Sequence, residues 1–276
     1  MLSVEENELL TKTRRGTPMG ELLRRFWMPI LLAEELPAPD CDPVRVRLLC
    51  EDLVAFRDTQ GWYALLDAFC AHRRAHLFFG RNEECGIRCI YHGWKFDVDG
   101  NCVDMPTEPP EASFKDKIKL TSYPLRENGG VLWAYMGPKD KMPELPRLTF
   151  TQVPAGHRFA VKRFQECNFL QAVEGGIDSA HTSYLHTTLD FYRRSDDYLK
   201  KAEALLEKFR ADPDSLSPEQ LDSLFRTLDK APRLTAKRTD YGLIIAARRN
   251  LEDHFYWRFN QFLMPFYTMP PRDPGG

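Results

Sequence analysis

The chain has 276 residues, 43% hydrophobic and 28% charged, ordinary globular usage that excludes a disordered or collagen-like polypeptide. Its 38 Lys and Arg against 40 Asp and Glu leave a net charge of −2, with no basic excess to follow a phosphate backbone, so nucleic acid is excluded as a partner. No apolar run approaches the ~18 residues of a membrane span, and the polar N-terminus lacks the stretches of a signal peptide; the expectation is a cytoplasmic protein, off the membrane, of about two domains.

In chain order, residues 1–43 read as a lead-in. Residues 1–16 are polar and loose. Thr17-Pro18 starts a helix, with Thr as cap and Pro in the first turn. Leu22, Leu23, Phe26 and Trp27 form its apolar face, Pro29 ends it, and Pro37, Pro39 and Pro43 mark a linker. Residues 44–140 change texture: short alternating runs such as Val44-Arg-Val-Arg-Leu and Gly130-Val-Leu-Trp-Ala-Tyr-Met, punctuated by Gly, Asp and Pro, predict a small antiparallel β domain. Asp99-Gly100-Asn101 is a hairpin turn signal within it. Residues 141–276 read as mixed: a strand over 157–164, a helix from Asn168 to about His186, helices within 196–230 restarted at Ser217-Pro218, then strands over 242–248 and 254–262. The fold class is therefore α+β, a small all-β domain followed by antiparallel sheet with helices.

Seven cysteines, an odd number spread along the chain, argue against a disulfide framework and for metal ligation where they lie near histidines. Cys70-Ala-His72 and Cys89-Ile-Tyr-His92 form the pattern C-x-H-x16-C-x2-H. At this chain's Cys and His frequencies, that spacing arises by chance on the order of 10⁻⁴ times. A Rieske [2Fe–2S] centre needs two thiolates on one iron and two imidazoles on the other. Two loops that each deliver one Cys and one His satisfy it, with Gly93 allowing a tight turn and Trp94 excluding water. A structural zinc site is the alternative, although its knuckles usually pair Cys with Cys and His with His.

The segment from Cys70 to Asp97, Cys-Ala-His-Arg-Arg-Ala-His through Cys-Ile-Tyr-His-Gly-Trp-Lys-Phe-Asp, resembles the Rieske domain of ring-hydroxylating oxygenase large subunits, on the phthalate-dioxygenase-like branch. The resemblance runs from about Thr17 to the last residues. Cys85 is surplus to the ligand positions, and Cys41, Cys50, Cys102 and Cys167 are expected to pack as small hydrophobes. His76 falls off the motif.

A second constellation is Glu174-x3-Asp178-x2-His181-x4-His186. On a continuous helix Glu174, Asp178 and His181 fall within roughly 40° of one another, while His186 lies roughly 140° beyond His181 and joins them only if the helix ends or bulges. Gly175 and Gly176 would let another element approach. Two histidines and a carboxylate make the facial triad of non-haem Fe(II) oxygenases, though a helix with two histidines is more often structural. The resemblance implies that His181 and His186 ligate a mononuclear Fe(II), and that Asp178 is an electron-transfer bridge from His181 to a Rieske histidine, His92 of the partner subunit, in a homotrimer or a multiple of it. Glu174 has no assigned role, and His157 and His254 lack partner spacing.

The implied activity is that of a terminal oxygenase hydroxylating an aromatic or related small substrate with O₂. Electrons come from NAD(P)H through a separate flavin and iron–sulfur reductase, because no G-x-G-x-x-G follows a strand here. A Rieske electron carrier without oxygen chemistry, or a zinc-stabilised binding module, are the rivals. Phe255, Tyr256, Trp257, Phe259 and Phe262 are candidate pocket walls, though a sheet core accounts better for most; Arg248, Arg249 and Arg258 could pair a substrate carboxylate, but surface arginines are common and they are assigned no role. The third iron ligand is missing from the motif. Glu252, Asp253 and Asp273 are the nearest carboxylates, none in a matching pattern. The expectation is a C-terminally truncated oxygenase that holds its [2Fe–2S] cluster but has an incomplete iron site and little turnover.

Overall fold

The computed structural model describes residues 2–186 and 195–271. The chain divides into two compact units, Met1–Phe164 and Gln165–Gly276. In the first, α1 (Val4–Thr11) begins at Ser3, which forms a capping box with Glu6, so the stretch read as loose contains a helix. α2 (Pro18–Leu23) begins at the Thr17 cap as expected but stops before Phe26. Trp27–Leu32 is instead β1. It forms an edge strand, where the missing N–H of Pro29 does least harm and the register shifts beside it.

The remaining strands of this unit are β2 (Val44–Leu48), β3 (Glu51–Arg57), β4 (Tyr63–Asp67), β5 (Arg81–Glu83), β6 (Gly86–Arg88), β7 (Lys95–Phe96), β8 (Cys102–Asp104), β9 (Leu125–Asn128) and β10 (Val131–Tyr135). They form three antiparallel sheets, β1-β10-β9, β2-β3-β4 and β5-β6-β7-β8. The core joins Val54, Phe56 and Leu66 of the second sheet to Ile87 and Phe96 of the third, with Leu77, Cys70, Cys89 and Trp94 between them. Two hairpins turn through pairs of left-handed residues that carry no glycine: Leu49 and Cys50 (φ 45° and 66°), and Glu84 and Cys85 (φ 49° and 62°). Asn-Gly or Asp-Gly usually fills such turns. Cys50 is consequently exposed, as is Cys167, correcting the expectation that both pack inside.

The expected strand over 157–164 does not form. Among the described residues the run has no ladder partner, and Phe159 and Phe164 project into solvent.

The second unit contains α3 (Phe169–Ile177), α4 (Ser195–Ala211), α5 (Pro218–Leu228) and an antiparallel meander of β11 (Arg233–Thr239), β12 (Gly242–Leu251), β13 (His254–Leu263) and β14 (Tyr267–Met269). Ser217 caps α5 as read from the sequence, and the structure adds a capping box with Gln220. Register separates the two faces of the sheet. Ala247, Arg249 and Tyr256, with Arg258 and Asn260, lie on one face, and Tyr256 stacks on Phe225 of α5 at 5.2 Å. Phe255, Trp257 and Phe259 lie on the other face and are exposed. Of the candidate pocket walls, Tyr256 and Phe262 share the first face and are half-buried, and Tyr256 packs against the core formed by Phe209, Leu224 and Phe225.

Candidate metal centres

The two Cys-His loops share one backbone plan. In the first, the Cys70 amide donates to Ala75 O (2.9 Å) and the Arg74 amide to Cys70 O (3.0 Å). In the second, the Cys89 amide donates to Trp94 O (2.8 Å) and the Gly93 amide to Cys89 O (3.0 Å). The fifth residue of each loop is left-handed, Arg74 at φ 58° and Gly93 at φ 74°. A Cβ on Gly93 would come within 2.7 Å of Pro106 Cγ, so glycine is required there by both conformation and space. Arg74 manages the same conformation in open surroundings, its guanidinium lying over Phe69 at 4.6 Å.

Both cysteines are buried, Cys70 at 1% and Cys89 at 4% exposure, and the histidines are half-buried with ring centroids 4.4 Å apart. Burial pushes the Cys70 thiol up to about 11, with the Cys89 thiol beside it adding to the shift. Trp94 stacks on His72 at 4.6 Å and 8°, closing one side of the site to water. His72 Nδ1 is buried with no hydrogen-bond partner, which is costly for a polar nitrogen unless something else takes its lone pair. A metal does. Two buried thiols, two adjacent imidazoles and an orphaned ring nitrogen fit the donor set of a Rieske [2Fe–2S] cluster.

Arg88, which the motif does not mark, ties the second loop down. It donates to Gly93 O (2.8 Å), Asp104 (2.6 Å) and Glu83 (2.7 Å). His76 is structural: its Nδ1 accepts from the Phe78 amide (3.1 Å) among Phe69, Phe78 and Phe79. Cys85 sits in its hairpin turn, its amide donating to Thr59 Oγ1.

In the second unit α3 ends at Ile177, and Asp178 is its C-cap with extended backbone. The single helix expected from Asn168 to His186 is thus corrected: Glu174 is on α3 and exposed, while His181 starts a separate 3₁₀ turn, His181–Ser183. Asp178 and His181 meet by capping rather than by helical periodicity. Asp178 Oδ1 accepts from the Ala180 amide (2.9 Å), and Oδ2 accepts from the His181 amide (2.8 Å) and from His181 Nδ1 (2.7 Å). Burial raises the Asp178 carboxyl, but these donors outweigh it and hold it below the usual carboxylate range. An imidazole donating Nδ1–H to a carboxylate presents Nε2 as its lone-pair nitrogen, the arrangement of a metal-binding histidine. The His186 ring lies 5.0 Å away. Gly176 does admit another element, since a Cβ there would meet Thr268 at 2.4 Å.

Among the described residues no group of three His, Cys, Asp or Glu converges on a single ion position. Glu252 is ion-paired with Arg210 at the β12–β13 turn, Asp253 is exposed beside it, and Asp273 lies outside the described residues. His254 packs its ring against Phe209, and His157 is exposed. The arginines are not a surface set. Arg249 is 0% exposed, Arg258 pairs with buried Asp222, and Arg248 lies over Phe255 and Trp257.

A Rieske [2Fe–2S] domain model matches residues 26–124, and a LigXa C-terminal-domain-like model matches 134–274. The chain belongs to the Rieske non-haem iron oxygenase family. Within it, this Rieske oxygenase chain lies on the phthalate-dioxygenase-type branch, and the family's cofactors are a Rieske cluster and a mononuclear iron. It is 42% identical to the phthalate 4,5-dioxygenase oxygenase subunit of Pseudomonas putida, over 98% of this chain and 58% of that one. It is 39% identical to the 3-chlorobenzoate-3,4-dioxygenase oxygenase subunit of Comamonas testosteroni, over 99% and 58%. The chain therefore spans less than two thirds of the length of these curated relatives. A solved NdmA variant of Pseudomonas putida CBB5 with theobromine shares the fold, at TM-score 0.61 and 21% identity over 90% of this chain and 64% of that one.

Proposed function

We propose that this chain serves as the terminal oxygenase component of a Rieske system, with Cys70, His72, Cys89 and His92 holding the [2Fe–2S] cluster and His181 and His186 holding Fe(II). When bound, the cluster supplies one-electron reduction and the iron supplies O₂ activation. The observation that carries this reading is the Asp178 carboxylate on His181 Nδ1, 2.7 Å away, in the same chain as the two-loop cradle. An electron carrier alone has no use for that pair. Asp178 fixes the His181 tautomer and, facing His92 of the partner subunit in a cyclic trimer, provides the link between centres. The reductase that draws on NAD(P)H is a separate protein, and the working compartment is the cytoplasm. Among the described residues no helix is long and apolar enough to cross a membrane.

The substrate class is an aromatic carboxylate. The two named relatives, with phthalate and 3-chlorobenzoate in their names, support it. Iron and acid-labile sulfide analysis of the reconstituted chain tests the site assignments. The expected result is two irons and two sulfides lost in Cys70→Ser, and one further divalent ion lost in His181→Ala. A colourless protein with one zinc and no sulfide overturns the reading. Light scattering tests the trimer, and a monomer at working concentration refutes it.

A further inference from the structure

The chain from the last residue of α3 onward has little regular structure of its own, yet its carbonyls are held by side chains from three distant elements. Ile177 O accepts from Asn260 Nδ2 on β13 (2.7 Å), Ser179 O from a guanidinium nitrogen of Arg249 on β12 (2.8 Å), and Thr182 O from Arg226 on α5 (3.3 Å). Arg249 is the centre of this cradle. It is completely buried, and its Nε also donates to Asp229 O (3.1 Å), so one rigid fork joins the chain after α5 to the chain before His181. Burying an arginine costs several kcal/mol unless its donors are used. Among the described residues one terminal nitrogen remains without a partner, and no carboxylate hydrogen-bonds the group. A sheet seeking only stability does better with an apolar residue at that position.

We propose that Arg249 is a positioning residue for the imidazole pair, fixing the Ser179 carbonyl and with it the turn on which Asp178 orients His181. The inference rests on the reading that His181 and His186 bind a divalent ion. Ser179 separates Asp178 from Ala180, whose amide binds Asp178 Oδ1, so a shift of this peptide moves both the carboxylate and the imidazole it holds. Without the guanidinium, Ser179 O keeps the Thr182 hydroxyl (2.8 Å), a contact within the turn, and the described residues tie Ser179 to the sheet only through Asn260 Nδ2 on its Oγ (3.4 Å). Residues that orient metal ligands typically govern affinity by 10- to 100-fold.

The test is equilibrium dialysis of Co(II) against the full chain with its [2Fe–2S] cluster loaded, with His181→Ala defining the second site. Arg249→Met keeps the length and removes the donors. Arg249→Lys keeps one charge but cannot span both carbonyls as a fork. The expected result is at least a tenfold loss of Co(II) affinity in Arg249→Met and about a threefold loss in Arg249→Lys, with the cluster spectrum unchanged and faster amide exchange confined to 178–183. Lower thermal stability with unchanged Co(II) affinity overturns the proposal, because that marks a purely structural residue. If Arg249→Met does not fold, Arg249→Lys decides: a threefold loss supports the proposal and unchanged affinity overturns it. Absence of His181-dependent Co(II) binding in the parent chain overturns the metal reading itself, whereas parent-like binding in both variants overturns only the role of Arg249.

Discussion

The two candidate centres are built in opposite ways. The Cys70 and Cys89 loops close on themselves through matched pairs of backbone hydrogen bonds, within six residues of chain each. The His181 turn is held instead by Asn260, Arg249 and Arg226, which lie 83, 70 and 44 residues away from the carbonyls they grip. A locally closed loop tolerates change elsewhere in its unit. A cradled segment inherits every displacement of the sheet behind it.

The largest expected effect falls on the first centre. Cys70→Ser should abolish the visible iron–sulfur spectrum while the second unit keeps its circular-dichroism signature; a retained spectrum breaks the ligand assignment. Asp178→Asn should leave that spectrum intact and weaken Co(II) binding at the second centre by about tenfold, the scale for loss of a carboxylate behind a metal-binding histidine. Unchanged Co(II) dialysis would erase the contrast between the two sites. Gly93→Ala adds a Cβ to a left-handed residue against Pro106, and should cost about 1–3 kcal/mol in chemical denaturation of the first unit.

A pH effect sharpens the same comparison. Burial, and then the Arg45 guanidinium, hold His76 below its ordinary value, and its Nδ1 must be unprotonated to accept from Phe78. The neutral form is favoured by folding, so its contribution is complete above about pH 6.5 and is lost as pH falls toward the lowered value. Thermal melts of the parent chain should show an acid-side loss that His76→Asn, an acceptor that does not titrate, reduces. The smallest effect is Arg74→Gly. It relieves the same left-handed strain but loosens the unfolded chain and forfeits the Phe69 contact, for a net change within about 0.5 kcal/mol. A penalty as large as that of Gly93→Ala would mean that side-chain contacts, not the shared backbone plan, define the first loop.

This difference also governs what was legible in the sequence. The two Cys-His loops were readable because a locally closed loop writes its residues at fixed spacing, and the caps at Thr17 and Ser217 were readable for the same reason. Helical periodicity placed Asp178 beside His181 for the wrong cause: an i, i+3 pair also arises when a carboxylate caps a new turn, and only the backbone at 178 distinguishes the two. Arg249, Asn260 and Arg88 left no local signal, since each works through a carbonyl and any residue supplies one. The glycine-free turns at Leu49-Cys50 and Glu84-Cys85 hid two hairpins, and Trp27–Leu32 passed for the end of a helix because Pro29 reads as a stop until the strand is known to be an edge.

The stack of Trp94 on His72 carries an optical consequence. Trp27, Trp94 and Trp133 are all buried, and Trp94 has its indole face against His72, a proposed cluster ligand. A coloured centre forming behind that imidazole would drain the excited indole of Trp94, dimming the blue-shifted part of the emission. Filling of the first centre can then be followed by fluorescence in the intact chain, with no label attached.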